Sequence, residues 1–218
     1  MDYQHQFLEG QTHLPAGKVV CIGRNYAEHA KELNNPVPDE PLLFIKPSTA
    51  IIPLSQPIAL PQGRGGLHYE TEVAILIGER LTHASEADVV TAIAGVGLAL
   101  DLTLRDLQST LKAKGLPWEK AKAFDGSCSL SAFVAPAGLD LTQLELTLRI
   151  NDQIRQQGNT AQMLLPVTAL LAYISAWFTL LPGDVVLTGT PAGVGQLNSG
   201  DKLSLQLDQV ITAETRVV

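Results

Sequence analysis

The chain is short of several things at once. It has two cysteines in 218 residues, Cys21 and Cys128, far apart and outside any CxxC arrangement. That excludes a disulfide framework and a cysteine-rich zinc site. Neither has an adjacent His or cationic pair, so both read as small buried residues rather than activated thiols. Charged residues are sparse at 17%, and acids outnumber bases for a net charge of −7. The nearest thing to a basic cluster, Lys112, Lys114, Lys120 and Lys122, is spread out and interrupted by Glu119. Nucleic acid and an anionic membrane surface are therefore excluded as main partners. A small anion stays compatible, because a bound cation reverses the local field. Met1 to Gly10 has no basic segment and no apolar run, so no secretory signal is read and a cytoplasmic location is expected. One uncharged run, Met163 to Leu181, approaches membrane-spanning length. It contains Pro166, Thr168, Ser175 and Thr179 and lacks flanking Lys or Arg, which predicts a buried core helix instead.

Short β-branched or alternating runs predict strands over Lys18–Ile22, Leu42–Ile45, Glu70–Gly78, Gly95–Leu100, Leu144–Ile150, Gln153–Gln157, Asp184–Leu187, Lys202–Leu207 and Ile211–Val218. Helices are expected over Ala27–Leu33, over Ser85–Ala94 with Ser85 as N-cap and Asp88 in the capping-box position, and over Arg105–Lys114. Asn34–Pro41, with three prolines, is read as a loop, and a turn-rich passage follows Lys46-Pro47. Many short strands not strictly alternating with helices indicate a β-rich α+β fold. With no repeat, low-complexity tract or linker, residues 1–218 read as a single domain, 1–17 being a short N-terminal extension.

Among residues that carry chemistry, Glu70-Thr71-Glu72 is the strongest signal. In a strand, residues i and i+2 share a face, so the two carboxylates lie side by side and repel unless solvated or neutralised. Asp101 ends a second apolar strand and is in reach of the same point. Three carboxylates with no Cys or His make an oxygen site suited to Mg²⁺ or Mn²⁺, not Zn²⁺. By spacing alone, a solvated sheet face with Asp101 capping a helix is the competing explanation. His29 and Glu32, at i, i+3 on a helix, share a face, so the carboxylate can hold the imidazole as a base; without further context an exposed surface pair is the commoner explanation. Thr188 to Gly195 follows a strand, lacks the Gly-Lys-Ser/Thr ending of a phosphate loop and fails the GxGxxG pattern. It is either an anion-binding nest or a structural turn. Lys122 sits in an apolar patch, and Arg105 and Gln108 lie within two turns of Asp101. The absence of a Gly-x-Ser-x-Gly elbow leaves a serine hydrolase unsupported.

Together these segments resemble the fumarylacetoacetate hydrolase family, in its short single-domain acylpyruvase branch. The matching pieces are Gly23-Arg24-Asn25-Tyr26 with His29 and Glu32, Leu42 to Pro47, His68 to Glu72, Asp101 to Gln108, Gly115 to Trp118 running into Lys122 to Asp125, and Pro182-Gly183-Asp184 leading into Thr188 to Gly195. The resemblance implies a mixed β-sandwich roll with a few short helices, and homodimers. It implies Glu70, Glu72 and Asp101 as ligands of Mg²⁺, with Mn²⁺ as a substitute and Ca²⁺ less suited. His29 and Glu32 would activate water on a segment that closes over substrate. Lys122 and Gln108 would be catalytic, and Arg24, Tyr26, Arg105 and Thr190 would bind substrate. The implied reaction is hydrolysis of a C–C bond in an acylpyruvate or fumarylpyruvate, releasing pyruvate and a carboxylic acid. The alternatives are an oxaloacetate decarboxylase or tautomerase, or an isomerase/decarboxylase of aromatic catabolism. More remotely, a non-catalytic carboxylate-binding protein would keep the fold. Ser129 departs from the family pattern where relatives often carry proline, and the Val134–Leu144 link looks short.

Overall fold

In the computed structural model, residues 3–10, 14–33, 36 and 39–218 are described. Seven strands form the main sheet in the order Leu42–Lys46, Val19–Gly23, Val185–Leu187, Thr71–Ile77, Ile93–Asp101, Cys128–Leu130 and Ile51–Pro53. The two edge strands are neighbours in sequence, joined only by Pro47 to Ala50, of which Ser48–Ala50 is a 3₁₀ turn. A link that short spans at most ~18 Å, so it draws the edges together and the sheet curls into a roll.

Side-chain alternation sorts the roll into two faces. Val20, Ile22, Val73, Ile75, Ile77, Val96, Leu98, Leu100 and Val186 join the larger core. It is completed by the helix Val167–Trp177 and by a four-stranded antiparallel sheet ordered Gln153–Asn159, Glu145–Ile150, Lys202–Leu207, Ile211–Arg216. Residues of opposite parity, Val19, Cys21, Ala74, Leu76, Ala99, Val185 and Leu187, meet Ala50, Cys128 and Phe133 in a smaller core. Small side chains on this second face suit the inside of a tightly curled sheet. Glu72 and Asp101 continue its parity, at i−2 from Ala74 and i+2 from Ala99. The alternation that builds the inner core thus delivers two acids to one of its ends.

Local signals account for the element ends. Ser85 accepts from the Asp88 N–H, and Asp88 returns the bond to the Ser85 N–H, capping Glu86–Ala92. Asn151 and Asp152, at φ 51° and 65°, make the two-residue hairpin turn. The expected core helix is shorter than the apolar run: Pro166 delays its start, Phe178 turns extended, and Leu180 bridges Leu81 instead. One helix face is buried through Leu170, Leu171 and Ile174, while Trp177 is 66% exposed. Glu70 lies in a break between Leu67–Tyr69 and Thr71–Ile77 rather than inside one strand. Ile51–Pro53 is a strand within the passage read as turns, because two β-branched residues pair in parallel with Cys128–Leu130. Part of the expected loop Asn34–Pro41 lies outside the described residues. Among the described residues no helix is long and apolar enough to cross a membrane.

Candidate active site

The sheet ladder itself assembles the acids. Glu72 pairs with Ala99 and Thr71 with Leu100, and the Asp101 N–H donates to the Glu70 carbonyl at 2.8 Å. The ladder therefore runs one step past the strand break and sets Glu70 opposite Asp101. Carboxylate oxygens of Glu70, Glu72 and Asp101 all fall within 4.8 Å of one another, and all three residues are buried.

Three cations are built in beside them. Lys122, from the short helix Glu119–Lys122, donates to Glu70 Oε2 at 2.9 Å, Asp101 Oδ2 at 2.7 Å and Thr103 Oγ1 at 2.8 Å. Arg105, first residue of the helix Arg105–Ala113, pairs with Glu70 Oε1 through Nη2. Lys46, fully buried at the end of its edge strand, lies 2.8 Å from Asp101 Oδ1. It also donates to the Lys122 carbonyl and to the Ser127 carbonyl and hydroxyl. Burial alone would raise the Glu70 carboxyl, but Lys122 and Arg105 overcome it and hold Glu70 well below the usual range. Glu72 goes the other way: burial first, then the Asp101 and Glu70 charges, push it well above the ordinary value. Among the described residues its carboxylate accepts one hydrogen bond, from the Gly189 N–H at 2.6 Å. Burial also opposes the charge on Lys122, yet Asp101 and Glu70 hold its ammonium above the usual range. Lys122 offsets only part of the upward push on Glu72, and among the described residues Glu72 is the acid of the three that makes no ion pair; an added divalent cation answers that imbalance.

Across a narrow cleft of about 50 Å³ lies the second group. His29, on the six-residue helix Ala27–Glu32, lines the same cleft as Glu70, Glu72, Gln108 and Lys122. Its Nδ1 sits 3.4 Å from Glu32 Oε2, which leaves Nε2 as the nitrogen turned away from the carboxylate. Glu32 in turn accepts the Gly193 N–H at 3.0 and 3.2 Å. Arg105 Nη1 donates to Gln108 Oε1 at 2.8 Å, committing that oxygen and leaving the Gln108 amide hydrogens to face elsewhere. The cleft opens onto a trough of about 380 Å³ lined by Leu43, Ile45, Leu116 and Pro117, sharing Leu42, Phe44, Trp118 and Lys122 with it.

The predicted residues do not all converge. Arg24 lines the cleft, its φ of 63° turning the chain from strand to helix. Tyr26 is 3% exposed in the larger core and does not line the cleft. Thr190 lines the wall, but its hydroxyl donates to the Thr71 carbonyl and accepts from Gln156, both at 2.8 Å. Its proton is spent inside the protein. Cys21 and Cys128 are fully buried, and burial pushes their thiols up, Cys128 to about 12; neither is a nucleophile. Sequence reasoning missed Lys46, Thr103 and Gln156. A lysine closing the apolar run Leu42-Leu43-Phe44-Ile45 was the available signal for the first. Gln156 gave none.

The donor set defines the class of site: all-oxygen, buried, at the end of a β-roll, and suited to a hard divalent cation. The chain belongs to the fumarylacetoacetate hydrolase family, residues 18–218 matching the model of the fumarylacetoacetate (FAA) hydrolase C-terminal region. It is 53% identical over 209 residues to the oxaloacetate tautomerase YcgM of Escherichia coli K12, covering 94% of this chain and 95% of that one. A fumarylacetoacetate hydrolase family protein from Yersinia pestis CO92 has the same fold, with a TM-score of 0.96 and 52% identity over 99% of this chain and all of the other. The fumarylpyruvate hydrolase of Pseudomonas aeruginosa, solved with Mn²⁺ and pyruvate, gives a TM-score of 0.94 at 31% identity, covering 100% of this chain and 96% of that one.

Proposed function

We propose that this enzyme is an oxaloacetate tautomerase, moving one proton between the C2 hydroxyl of the enol and C3 of the keto form. The observation that carries the reading is the cleft's cationic wall. Arg24, Arg105, Lys112 and Lys122 line the same narrow space as His29, a match for a small dicarboxylate such as the substrate named by the E. coli relative's activity. Glu70, Glu72 and Asp101 would hold Mg²⁺, and Mn²⁺ fits the same donors; Ca²⁺ prefers six to eight oxygens. When bound, the cation supplies positive charge against the oxyanion of an enolate.

The chain's own groups divide the remaining work. His29 Nε2 takes the proton from the C2 hydroxyl of the enol and delivers it to C3, the reverse direction running the same way, while Glu32 fixes the ring through Nδ1. Arg24 and Lys112 orient the distal carboxylate, and the Gln108 amide hydrogens face the C2 oxygen. No bond between heavy atoms breaks and no water is consumed. The test is the decay of enol absorbance of oxaloacetate with EDTA-treated enzyme, with and without Mg²⁺, while pyruvate is assayed in parallel. Ketonisation faster than the Mg²⁺-only blank, without pyruvate, is expected; a rate equal to that blank would sink the reading.

C–C hydrolysis of acylpyruvates stands second, favoured by the apolar trough beside the cleft, which oxaloacetate leaves unused. Pyruvate release from acetylpyruvate in the same assay would promote it. We also propose a homodimer, which light scattering at micromolar concentration would reveal as twice the monomer mass.

A further inference from the structure

One buried amide joins the two halves of the site, and its position depends on a defect in the neighbouring sheet. In the hairpin Glu145–Ile150/Gln153–Asn159, Leu148 pairs with Gln156 but Arg149 with Ile154. Arg155 is therefore an extra residue, and the bulge turns Ile154 outward to 49% exposure while Gln156 stays 1% exposed. Gln156 Oε1 accepts the Thr71 N–H at 3.0 Å, between the two glutamates of the acid cluster. Its Nε2 donates to Thr190 Oγ1 and to the Pro191 carbonyl, both at 2.8 Å. The same loop carries Gly193, whose N–H holds Glu32. Gly193 stands at φ +100°, and a Cβ there would overlap the Arg155 carbonyl oxygen. The bulge thus braces the loop from outside while Gln156 ties it to the acids.

The geometry points to Gln156 as a positioning residue for the proton transfer: through the Pro191–Gly193 loop it sets where Glu32, and so His29, stands relative to Glu70 and Glu72. A helix of six residues cannot hold itself in register, so its C-terminal end takes its place from the Gly193 N–H. The role rests on the proposed tautomerase reading, but the structural half of it does not.

The isosteric Gln156→Met variant keeps the volume and removes all three hydrogen bonds. In it, the Gly193 amide should exchange with solvent at least about tenfold faster, while amides of Thr71–Ile77 beyond Val73 keep their protection. That outcome establishes the brace whatever the enzyme's substrate; unchanged Gly193 protection overturns it. On oxaloacetate, kcat should fall by roughly 10²-fold, the cost of a misplacement near 1 Å, with KM changed far less. In the Glu32→Gln background, the same substitution should add almost nothing, since both act through one group. Losses that multiply instead would make Gln156 an ordinary core residue. If the wild type lacks tautomerase activity, the functional reading fails while amide exchange still decides the brace.

Discussion

The two sides of the cleft are built to opposite standards. On the acid side, each carboxylate comes from extended backbone locked into a ladder, and Glu70 and Asp101 are each held by two cationic side chains. On the dyad side, His29 and Glu32 ride on a six-residue helix without a side-chain N-cap, joined by one 3.4 Å contact and tied down by a backbone N–H. The difference fits a division of labour. A site for a cation and an anion gains from fixed charges that need no reorganisation. Under the proposed function the dyad segment would open to admit substrate, and elements that move are drawn from the weakly held part of a structure. The contrast predicts that substitutions on the two sides act differently: on the acid side stability or its pH dependence changes along with chemistry, in either direction, and on the dyad side chemistry alone moves.

The largest effect should come from Glu72→Gln. It keeps an acceptor for the Gly189 N–H but removes the charge, and activity should be lost at any Mg²⁺ concentration. In EDTA the variant should nonetheless melt no lower than the wild type, because it also removes the repulsion among buried acids. The sign follows from the raised carboxyl. A group whose folded pKa lies above its ordinary 4.5 contributes stability below that value and loses it as pH climbs through the folded one. Metal-free wild type should therefore lose Tm with rising pH, and Glu72→Gln should flatten that slope. A variant that melts lower and keeps the slope would show that Glu72 is not the strained acid. His29→Ala comes next, with a kcat loss of roughly 10²–10⁴ and a Tm close to wild type by calorimetry. A large drop in Tm would show that the dyad side is as rigid as the acid side.

What the sequence made legible divides along the same line. Glu70, Glu72, Asp101, His29 and Glu32 stood out as candidates because each sits in a local pattern: i and i+2 on extended chain, the end of an apolar run, i and i+3 on a helix. The patterns alone fitted a solvated face and a surface pair better, and it was the family resemblance that favoured a site. Glu70 reaches the acid cluster although its strand breaks there, because the Asp101 N–H still bonds its carbonyl and carries the ladder one step further. The partners were not legible. Lys46 lies 55 residues from Asp101 and Gln156 lies 85 from Thr71, and only the closure of the roll and a bulge bring them in. Thr190 and Tyr26 came from the family resemblance rather than from a local pattern. Thr190 does line the cleft, although its hydroxyl donates to the Thr71 carbonyl, while Tyr26 is buried in the larger core.

Lys46→Met then tests whether the acid side is held by charge or by packing. Breaking a buried pair by removing one partner costs about 3–5 kcal/mol, and Lys46 is fully buried beside Asp101. Urea unfolding should show a loss of that size, with Lys46→Arg less affected. A loss below ~1 kcal/mol would mean that Lys122 alone compensates Asp101, and that the fixed-charge account of this side is overstated.

The smallest effect provides a control outside the cleft. His5 is buried at the far end of the roll interior, its Nε2 2.9 Å from the Gly183 carbonyl and its ring against Tyr3 and Phe133. Burial lowers its pKa from 6.5, outweighing the Gly183 bond and the Asp184 charge, which raise it. In the window between 6.5 and the lowered folded value the unfolded chain binds the extra proton. Stability from His5 is thus present above 6.5 and lost as pH falls through that window. This slope runs opposite to the one from Glu72, so the two offset each other where their windows overlap, between 4.5 and 6.5. His5→Gln should steepen the loss of Tm with rising pH below 6.5 and leave the loss above 6.5 intact. Glu72→Gln should leave a Tm that rises with pH up to 6.5. If either substitution abolished both slopes, the two ends of the roll interior would be coupled, and the acid cluster's strain would belong to the whole fold rather than to the site.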